Sequence, residues 1–340
     1  MTTSRPAVRI AGIGHALPAV RETAADIEGR IRAASGRLPV PPGTLLAISG
    51  VEGRHAVGPG ELASTLAAEA GRRALEDARV GLDSIDLLLF ASTSQDQIEP
   101  ATVHNTADLL GYRAGSAFDV KNACNSFFEG IRVAEAMIAS GSARRALVVT
   151  GETPTLAARY CVPDRRAFRR SFIGYTVGDV GGAVVLERSD DERGVFYAHS
   201  WSASEHWSIS EVPGGGSRHP RGDEFLYAGG DGGRLRDVVR GLDPGIATRV
   251  FEATGTTVDD YRLFVIHQVT APFTDEMAAR LGFPAERVER TIDQFGNVAS
   301  GTLPLALVQA RGAGRVARGD AVLFVGLGAG ISVATLALRL

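Results

Sequence analysis

The sequence predicts an α/β protein built on a largely parallel, buried β-sheet, and two observations support this fold class. The first is that short apolar segments rich in Val, Ile and Leu alternate with segments that have the spacing of amphipathic helices. Strands and helices that alternate in this way usually form parallel sheets covered by helices. The second is that the C-terminal part of the chain repeats landmarks of the N-terminal part, which indicates an internal duplication.

The elements of the first half alternate in a regular order. In the clearest helix, Phe127, Ile131, Ala134 and Ile138 fall on one face, and Gly141 ends the helix. The predicted strands are Val8–Ile13, Ile85–Ala91, Ala117–Val120 and Ala146–Thr150. The predicted helices are Thr23–Ala34, Glu61–Ala78, Ala107–Leu110 with its preceding turn, and Asn125–Ser140.

Landmarks of the same kind recur at nearly one distance along the chain. Separations of 171 to 175 residues relate three pairs: Leu110 and Leu281 at helix ends, Cys124 and Asn297 before helices, and Gly151 and Gly326 at strand ends. An internal duplication explains this spacing. Coincidence in a chain rich in βαβ units is the alternative interpretation.

A segment of different composition lies between the two halves. It contains both tryptophans and the run EVPGGGSRHPRGDEF, which predicts loops and short elements rather than a third domain. We therefore predict an N-terminal half over residues 1–175 and a C-terminal half over residues 236–340. The insertion over about 155–235 is expected to form a lid or a pocket wall.

The bulk composition excludes several classes of partner. The chain has 44 % apolar residues, 22 % charged residues and a net charge of −3, so we expect neither nucleic acid nor a membrane as its partner. Two cysteines cannot form a disulfide framework, which favours a reducing, cytoplasmic location. The uncharged stretch 321–338 reaches the length of a membrane span. Its central glycines and its Val, Ile and Thr content instead predict two buried strands around a turn.

Cys124 lies in the stretch FDVKNACNSFFEG, where an apolar strand ends and a helix begins. Free N–H groups and the helix dipole at such a position favour a thiolate, and they can also hold the oxyanion of a thioester under attack. The sequence therefore predicts a nucleophilic cysteine with a lowered pKa. The alternative is a cysteine that only packs in the core.

His267 and Asn297 are predicted to lie near this cysteine. A strand runs directly into His267, and α/β proteins place ligand sites at the carboxyl ends of strands. Asn297 lies in a loop before a helix, at the position that the repeat places opposite Cys124. Taken singly, such a histidine is more often structural, and such an asparagine is more often a turn residue or a cap. Their convergence favours a catalytic interpretation.

Four motifs together resemble the signatures of the β-ketoacyl-acyl carrier protein synthase III family, which has the thiolase fold. These motifs are DVKNACNSFFEGI, VIHQVTAPF, QFGNVASGTLPLAL and VGLGAGISVATLALRL. SGVEGRH and GDVGGA resemble two further segments of that family. The resemblance implies a thiolase-like duplicated βαβαβ core in a five-layer α-β-α-β-α arrangement.

The resemblance also implies a catalytic triad of Cys124, His267 and Asn297. The cysteine would take an acyl group from a thioester, and the other two would hydrogen-bond the carbonyl of a malonyl thioester while it loses carbon dioxide. Backbone N–H groups of Cys124 and Ala329 would hold the oxyanion. The implied substrates are thioesters of coenzyme A or acyl carrier protein, the implied assembly is a homodimer, and no metal or other cofactor is implied. The inserted region and its surroundings add candidate pocket residues: Trp201, Trp207, Ser217, His219 and Thr270.

Departures from the family pattern bear on the substrates. Ile48 replaces the cation that usually precedes the TG-I segment, and residues 41–48 contain no tryptophan for the adenine of coenzyme A. These departures favour a donor bound to a carrier protein. The leading hypothesis is a decarboxylative Claisen condensation in fatty-acid or specialised polyketide synthesis. The alternative is transfer of the acyl group from Cys124 to a hydroxyl or amine acceptor.

Overall fold

The computed structural model describes residues 7–36, 40–189, 191, 193–243 and 245–340. The strands are β1 Val8–Ala16, β2 Val20–Thr23, β3 Gly53–Ala56, β4 Leu87–Ala91, β5 Ser116–Val120, β6 Arg145–Glu152, β7 Val180–Arg188, β8 Gly194–Ser202, β9 Ser210–Glu211, β10 Gly229–Gly230, β11 Leu263–Ile266, β12 Ala321–Gly328 and β13 Ser332–Arg339. The α-helices are α1 Ala24–Ser35, α2 Thr44–Ser49, α3 Ala63–Ala78, α4 Thr102–Leu110, α5 Ser126–Ala139, α6 Arg165–Thr176, α7 Gly232–Gly241, α8 Ile246–Thr254, α9 Ala271–Leu281, α10 Ile292–Phe295 and α11 Thr302–Gly312.

Two mixed sheets form the framework. The first has five strands in the order β1-β7-β6-β4-β5, and the second has four in the order β11-β12-β13-β8. Among the strands that the structure describes in these two sheets, three pairs are parallel: β4 with β5, β4 with β6, and β11 with β12. The prediction of a largely parallel sheet is therefore wrong. Its cause is visible at β12 and β13: a connection of three residues permits only antiparallel pairing.

The strand orders show the predicted duplication. Read from the strand that begins each half, the first sheet runs β1-β7-β6-β4-β5 and the second runs β8-β13-β12-β11. At the place of a fifth strand, Val288 forms a single parallel bridge with Phe264 of β11. The second sheet therefore includes β8, which lies inside the insertion predicted over about 155–235. The partner of β8 is β13 at the far end of the chain, a pairing that local sequence patterns do not reveal.

The core is arranged in five layers. Helices α5 and α11 lie between the two sheets, where their apolar residues form one cluster with the inner faces of both sheets. Helices α3 and α4 cover the outer face of the first sheet. Helices α8 and α9 cover the outer face of the second. The α-β-α-β-α order agrees with the fold class expected from the sequence.

The uncharged stretch near the C-terminus forms the paired strands β12 and β13, as predicted. Every residue of β12 is buried, which explains why this segment carries no charge. Within the described residues, none of the helices has the length and apolar character needed to cross a membrane.

Candidate active site

Cys124 lies in a tight turn between β5 and α5, two residues before the helix begins. Ala123 has a φ angle of +47°, a conformation that is strained for a residue with a Cβ atom. The turn is closed by hydrogen bonds from the Asn125 and Ser126 N–H groups to the carbonyl oxygens of Asn122 and Ala123, at 3.0 and 2.9 Å. The Cys124 side chain is thereby held in one direction.

The turn is also attached to the second sheet through Asn125. The buried Asn125 carboxamide donates to the carbonyl oxygen and the hydroxyl of Ser332, at 3.1 and 2.8 Å. A Cβ atom at Gly326 would collide with this carboxamide, and one at Gly328 would crowd it. Sequence reasoning missed this contact. The signal was the alternation of glycines in an otherwise apolar strand, which marks a close approach.

His267 directly follows β11, and its backbone N–H donates to the carbonyl oxygen of Val325 at 2.8 Å. Burial of the imidazole lowers its pKa to about 4, so the ring is neutral at physiological pH. Its Nδ1 lies 3.4 Å from the Thr302 hydroxyl, which also lies 2.9 Å from the carbonyl oxygen of Ala299. The single Thr302 proton can go to either acceptor, so both neutral tautomers of His267 are accessible.

Asn297 is held by backbone contacts to the first half of the chain. Its N–H donates to the carbonyl oxygen of Thr176 at 2.8 Å, and its own carbonyl accepts from the Gly178 N–H at 3.0 Å. Its side-chain Oδ1 accepts from the Ala299 N–H at 3.0 Å. This last bond orients the carboxamide and leaves the Nδ2 group, which has no hydrogen-bond acceptor among the described residues, as a donor.

One cavity of about 70 Å³ brings these three residues together. Cys124, His267 and Asn297 all contribute to its lining, as do Gly328 at the end of β12 and Ala329 in the turn that follows. The remaining walls are mostly apolar and come from helices α6, α7 and α9 and from the strand ends: Ile173, Ser210, Leu235, Val239, Val269, Phe273, Leu327 and Ile331.

Comparison with known proteins identifies the family. Profiles described as 3-oxoacyl-[acyl-carrier-protein] synthase III and its C-terminal part match residues 118–204 and 251–340. The β-ketoacyl-[acyl-carrier-protein] synthase III of Rhizobium meliloti is 32 % identical over 97 % of this chain and 98 % of its own length. The chain belongs to the β-ketoacyl-acyl carrier protein synthase III family. It is thus an enzyme of the acyl-transferring class, from a family of Claisen condensation enzymes.

Two further matches show the breadth of this family. The 3-oxopimeloyl-[acyl-carrier-protein] synthase of Rhodothermus marinus is 32 % identical over 97 % of this chain and 93 % of its own length. A crystal structure of a Xanthomonas campestris OleA variant superposes with a TM-score of 0.88 at 27 % identity, over 99 % of both chains. Family membership therefore does not by itself define the acyl substrate.

Within the part of the chain that the structure describes, the five residues predicted for the substrate pocket do not line this cavity. Trp201 pairs with Val333 and packs on the outer core of the second sheet. Trp207 is half exposed beneath Arg218. His219 stacks on a phenylalanine in the inserted region, Ser217 is exposed beside it, and Thr270 caps helix α9.

The pocket residues that were missed lie on amphipathic helices. Leu235 and Val239 are one helical turn apart on α7, and Ile173 faces inward from α6. Their spacing predicts a buried helical face but not what that face covers. Phe273 stands in the motif VIHQVTAPF, close to His267, which was the available signal.

The pKa of the Cys124 thiol is raised, whereas the sequence predicted a lowered pKa. Burial raises the pKa of its thiol to about 12, and the negative charge of Glu152 adds to this rise. Hydrogen bonds to the sulfur from the N–H groups of Ala329 and of Cys124 itself oppose the rise. The expected lowering by the helix terminus is therefore wrong, because desolvation outweighs it. The same two N–H groups are those expected to form the oxyanion hole.

Glu152 is a buried carboxylate at the end of β6, surrounded by donors. It accepts from the Ser92 hydroxyl at 3.0 Å, the Thr93 N–H at 2.8 Å and the Ser94 hydroxyl at 3.1 Å. It also accepts from the hydroxyl of Ser300, which lies in the loop after Asn297. Glu152 thus joins the end of the first sheet to the asparagine loop. Sequence reasoning missed it.

The pH dependence of Cys124 alkylation tests this electrostatic arrangement. In a Cys161→Ala background, the iodoacetamide rate at Cys124 should rise about tenfold per pH unit up to pH 10 without a plateau, because the thiolate fraction is still growing. Glu152→Gln should raise the rate at pH 8 by about threefold to tenfold. Glu187→Gln, at the other end of the first sheet, is the control. A plateau near pH 8 in the parent would contradict the raised pKa.

Proposed function

We propose that this enzyme catalyses a decarboxylative Claisen condensation between an acyl group on Cys124 and a malonyl thioester. The observation that carries the proposal is the cavity that joins a thiol, a neutral imidazole and an oriented carboxamide donor. The reaction needs these three groups: a nucleophile that holds the acyl group and two donors for the oxygen on which charge develops.

The acylation step uses His267 as a base, because the thiol has a high pKa. Sγ of Cys124 gives its proton to Nε2 of His267 and attacks the carbonyl carbon of the acyl thioester. The carbonyl oxygen becomes an oxyanion and accepts hydrogen bonds from the N–H groups of Cys124 and Ala329. The bond to the carrier sulfur then breaks, and the departing thiolate takes the proton from His267. This step uses the tautomer in which Nδ1 carries the proton and donates to Thr302.

The condensation step uses the other tautomer. The bond between the malonyl carbons breaks, carbon dioxide leaves, and the electron pair forms an enolate. The enolate oxygen accepts from Nδ2 of Asn297 and from Nε2–H of His267. The enolate carbon then attacks the acyl carbonyl, the carbon–sulfur bond to Cys124 breaks, and a β-ketoacyl thioester leaves. The thiolate recovers a proton from solvent.

The small volume and the apolar lining of the cavity are evidence that the acyl substrate is short and apolar. A volume of about 70 Å³ is less than half that of an engineered protein cavity of about 150 Å³ that binds benzene. Leu235 and Val239 of α7 and Phe273 of α9 contribute apolar side chains to its lining.

The surface of helix α6 supports a phosphate-bearing or acidic carrier as the source of the substrates. Ile173 of this helix lines the cavity, while four arginines of the same helix are exposed: Arg165, Arg166, Arg169 and Arg170. Such a group of arginines suits phosphopantetheine and the acidic surface of a carrier protein. Together with Ile48, this favours a carrier-protein-bound malonyl donor.

A reaction assay on the parent enzyme tests the proposal. With an acetyl thioester, intact mass spectrometry should show an acyl increment, and malonyl-acyl carrier protein should then release carbon dioxide and give a β-ketoacyl product. Suppose instead that the enzyme acylates, never releases carbon dioxide, and esterifies a hydroxyl or amine acceptor. The simple acyltransferase would then be the correct function.

The unpaired edge of the first sheet supports a homodimer. β5 is the last strand of this sheet among the described residues and exposes Phe118, and the loop after β4 exposes Ile98. Gln95 of that loop contacts Lys121 at the end of β5, which makes the two surfaces continuous. A second copy related by a two-fold axis can pair with this edge and cover both apolar side chains.

The dimer is tested by placing a charge on this edge. Phe118→Asp should shift the sedimentation coefficient from dimer to monomer at micromolar concentration, because a carboxylate would be buried without a partner. Val212→Asp, at an exposed apolar residue of the inserted region, should leave the assembly unchanged. A parent protein that sediments as a monomer would remove this part of the proposal.

A further inference from the structure

Arg54 on β3 is a fully buried cation with every donor in use. Its Nε and Nη2 donate to one carboxylate oxygen of Glu22 at 3.0 and 2.9 Å, and Nη2 also donates to the hydroxyl of Tyr160 at 2.7 Å. Its Nη1 donates to the carbonyl oxygens of Gly174 and Val177 at 3.1 and 3.0 Å. A guanidinium offers five N–H groups in a rigid fork, so this residue fixes several segments relative to one another.

Arg54 binds the carbonyl groups of Gly174 and Val177, and the same segment of the chain also holds Asn297. Val177 forms a bridge with Asn297, and the flanking Thr176 and Gly178 bond both backbone polar groups of that asparagine. A Cβ atom at Gly178 would collide with the carbonyl of Phe295, which shows how closely the two segments approach. The position of the Asn297 carboxamide therefore depends on where residues 176–178 lie.

The paired strands β2 and β3, with the residue that precedes β3, also contact the segment that leads into Asn297. The Glu52 N–H donates to the carbonyl oxygen of Asp293 at 2.8 Å. Arg21 donates to the Gln294 side chain at 2.6 Å. The ring of His55, next to Arg54, stacks on Phe295 at a centroid distance of 6.1 Å. These strands thus contact residues 293–295, just before Asn297, and through Arg54 they also contact residues 174 and 177.

Cys124 is positioned by different contacts. Its turn is closed by residues 122–126 and attached to Ser332, and its sulfur accepts from Ala329. None of the hydrogen bonds of Arg54 reaches these groups. A change at Arg54 should therefore move the asparagine while leaving the nucleophile in place.

We propose that Arg54, with Glu22, is a positioning residue for the Asn297 carboxamide and controls decarboxylation but not acylation. This inference rests on the proposed condensation. The physical reason is geometric: displacement of a catalytic group by about 1 Å can cost on the order of 100-fold in rate, even when the substitution is remote from the reacting atoms.

Separate measurement of the two half-reactions tests the proposal. In Arg54→Met, the rate of acyl-Cys124 formation by intact mass should stay within about twofold of the parent. Release of carbon dioxide by the acylated enzyme should fall on the order of 10- to 100-fold. Arg54→Lys, which keeps the charge and some donors, should lose less. The matched control is Arg145→Met, which removes an arginine paired with Glu187 at the far end of β6 and should change neither step. Equal losses in both steps would overturn the proposal.

Two further measurements keep the test decisive. If Arg54→Met does not fold, Tyr160→Phe removes one hydrogen bond of Arg54 and should lower carbon dioxide release severalfold with acylation unchanged.

Asparagine occurs only at positions 105, 122, 125 and 297, so selective nitrogen-15 labelling resolves the carboxamide of Asn297. Its NMR signal should move in Arg54→Lys while that of Asn122 stays. This readout needs no turnover, so it still tests positioning if the parent never decarboxylates. An Asn297 signal that stays in place in the folded variant would contradict the proposal.

Discussion

Replacement of Cys124 by alanine is expected to abolish formation of the acyl-enzyme and to lower condensation by at least about 10⁴-fold. The described lining residues of the cavity offer two other nucleophilic groups, the hydroxyl of Ser210 and the neutral imidazole of His267, and the proposed mechanism uses the imidazole as base and donor. Intact mass spectrometry after incubation with an acetyl thioester gives the result directly, because the parent gains one acyl increment and the variant gains none.

The chain offers a matched control for this experiment. Cys161 is the second cysteine and is exposed. Cys161→Ala should acylate at the parent rate, and the increment in the parent should map to the peptide that contains Cys124. An acyl increment that persists in Cys124→Ala and disappears in Cys161→Ala would refute the assignment of the nucleophile.

Replacement of Asn297 by alanine is expected to separate the two half-reactions. Acylation of Cys124 should stay within a few fold of the parent, because its oxyanion rests on backbone N–H groups. Release of carbon dioxide from the malonyl thioester should fall by about 10²- to 10³-fold, the usual cost of removing one donor from a developing oxyanion. Measurement of labelled carbon dioxide from acylated enzyme checks the second expectation.

A sharper variant tests which end of the carboxamide matters. Asn297→Asp keeps an oxygen for the Ala299 N–H but replaces the Nδ2 donor with an acceptor. Its loss of decarboxylation should equal or exceed that of the alanine variant. Asn105→Asp, whose side chain contacts Gln97 outside the cavity, is the control. Decarboxylation at the parent rate in Asn297→Asp would show that the amide group is not the donor.

Local sequence patterns were sufficient for much of the fold. The run of apolar residues in β12 and β13, broken by glycines, predicts two buried strands, because a segment without charge and with a central turn can only be stable inside the core. The recurrence of Leu-Gly at 110 and 281 marks two equivalent helix ends, since glycine adopts the left-handed conformation that ends a helix, as Gly111 and Gly282 do.

The pairing of distant strands was beyond such patterns. From its sequence, β8 is predicted to be part of a loop-rich insertion, because its apolar and polar residues alternate only weakly and it contains tryptophan and serine. It becomes a sheet strand only because β13, whose paired residues lie 130 to 145 positions further along the chain, offers it an edge. Its place in the second sheet follows from tertiary structure alone.

The motifs around Cys124, His267 and Asn297 were enough to select the residues of the candidate site, because each stands where a strand or loop leads into a helix and each carries a reactive or hydrogen-bonding group. The raised pKa of the thiol, the apolar wall formed by α7, and the Arg54 cluster behind Asn297 came only from the folded chain. The reason is that local sequence specifies which groups a segment presents, whereas desolvation and contact depend on which remote segments surround them.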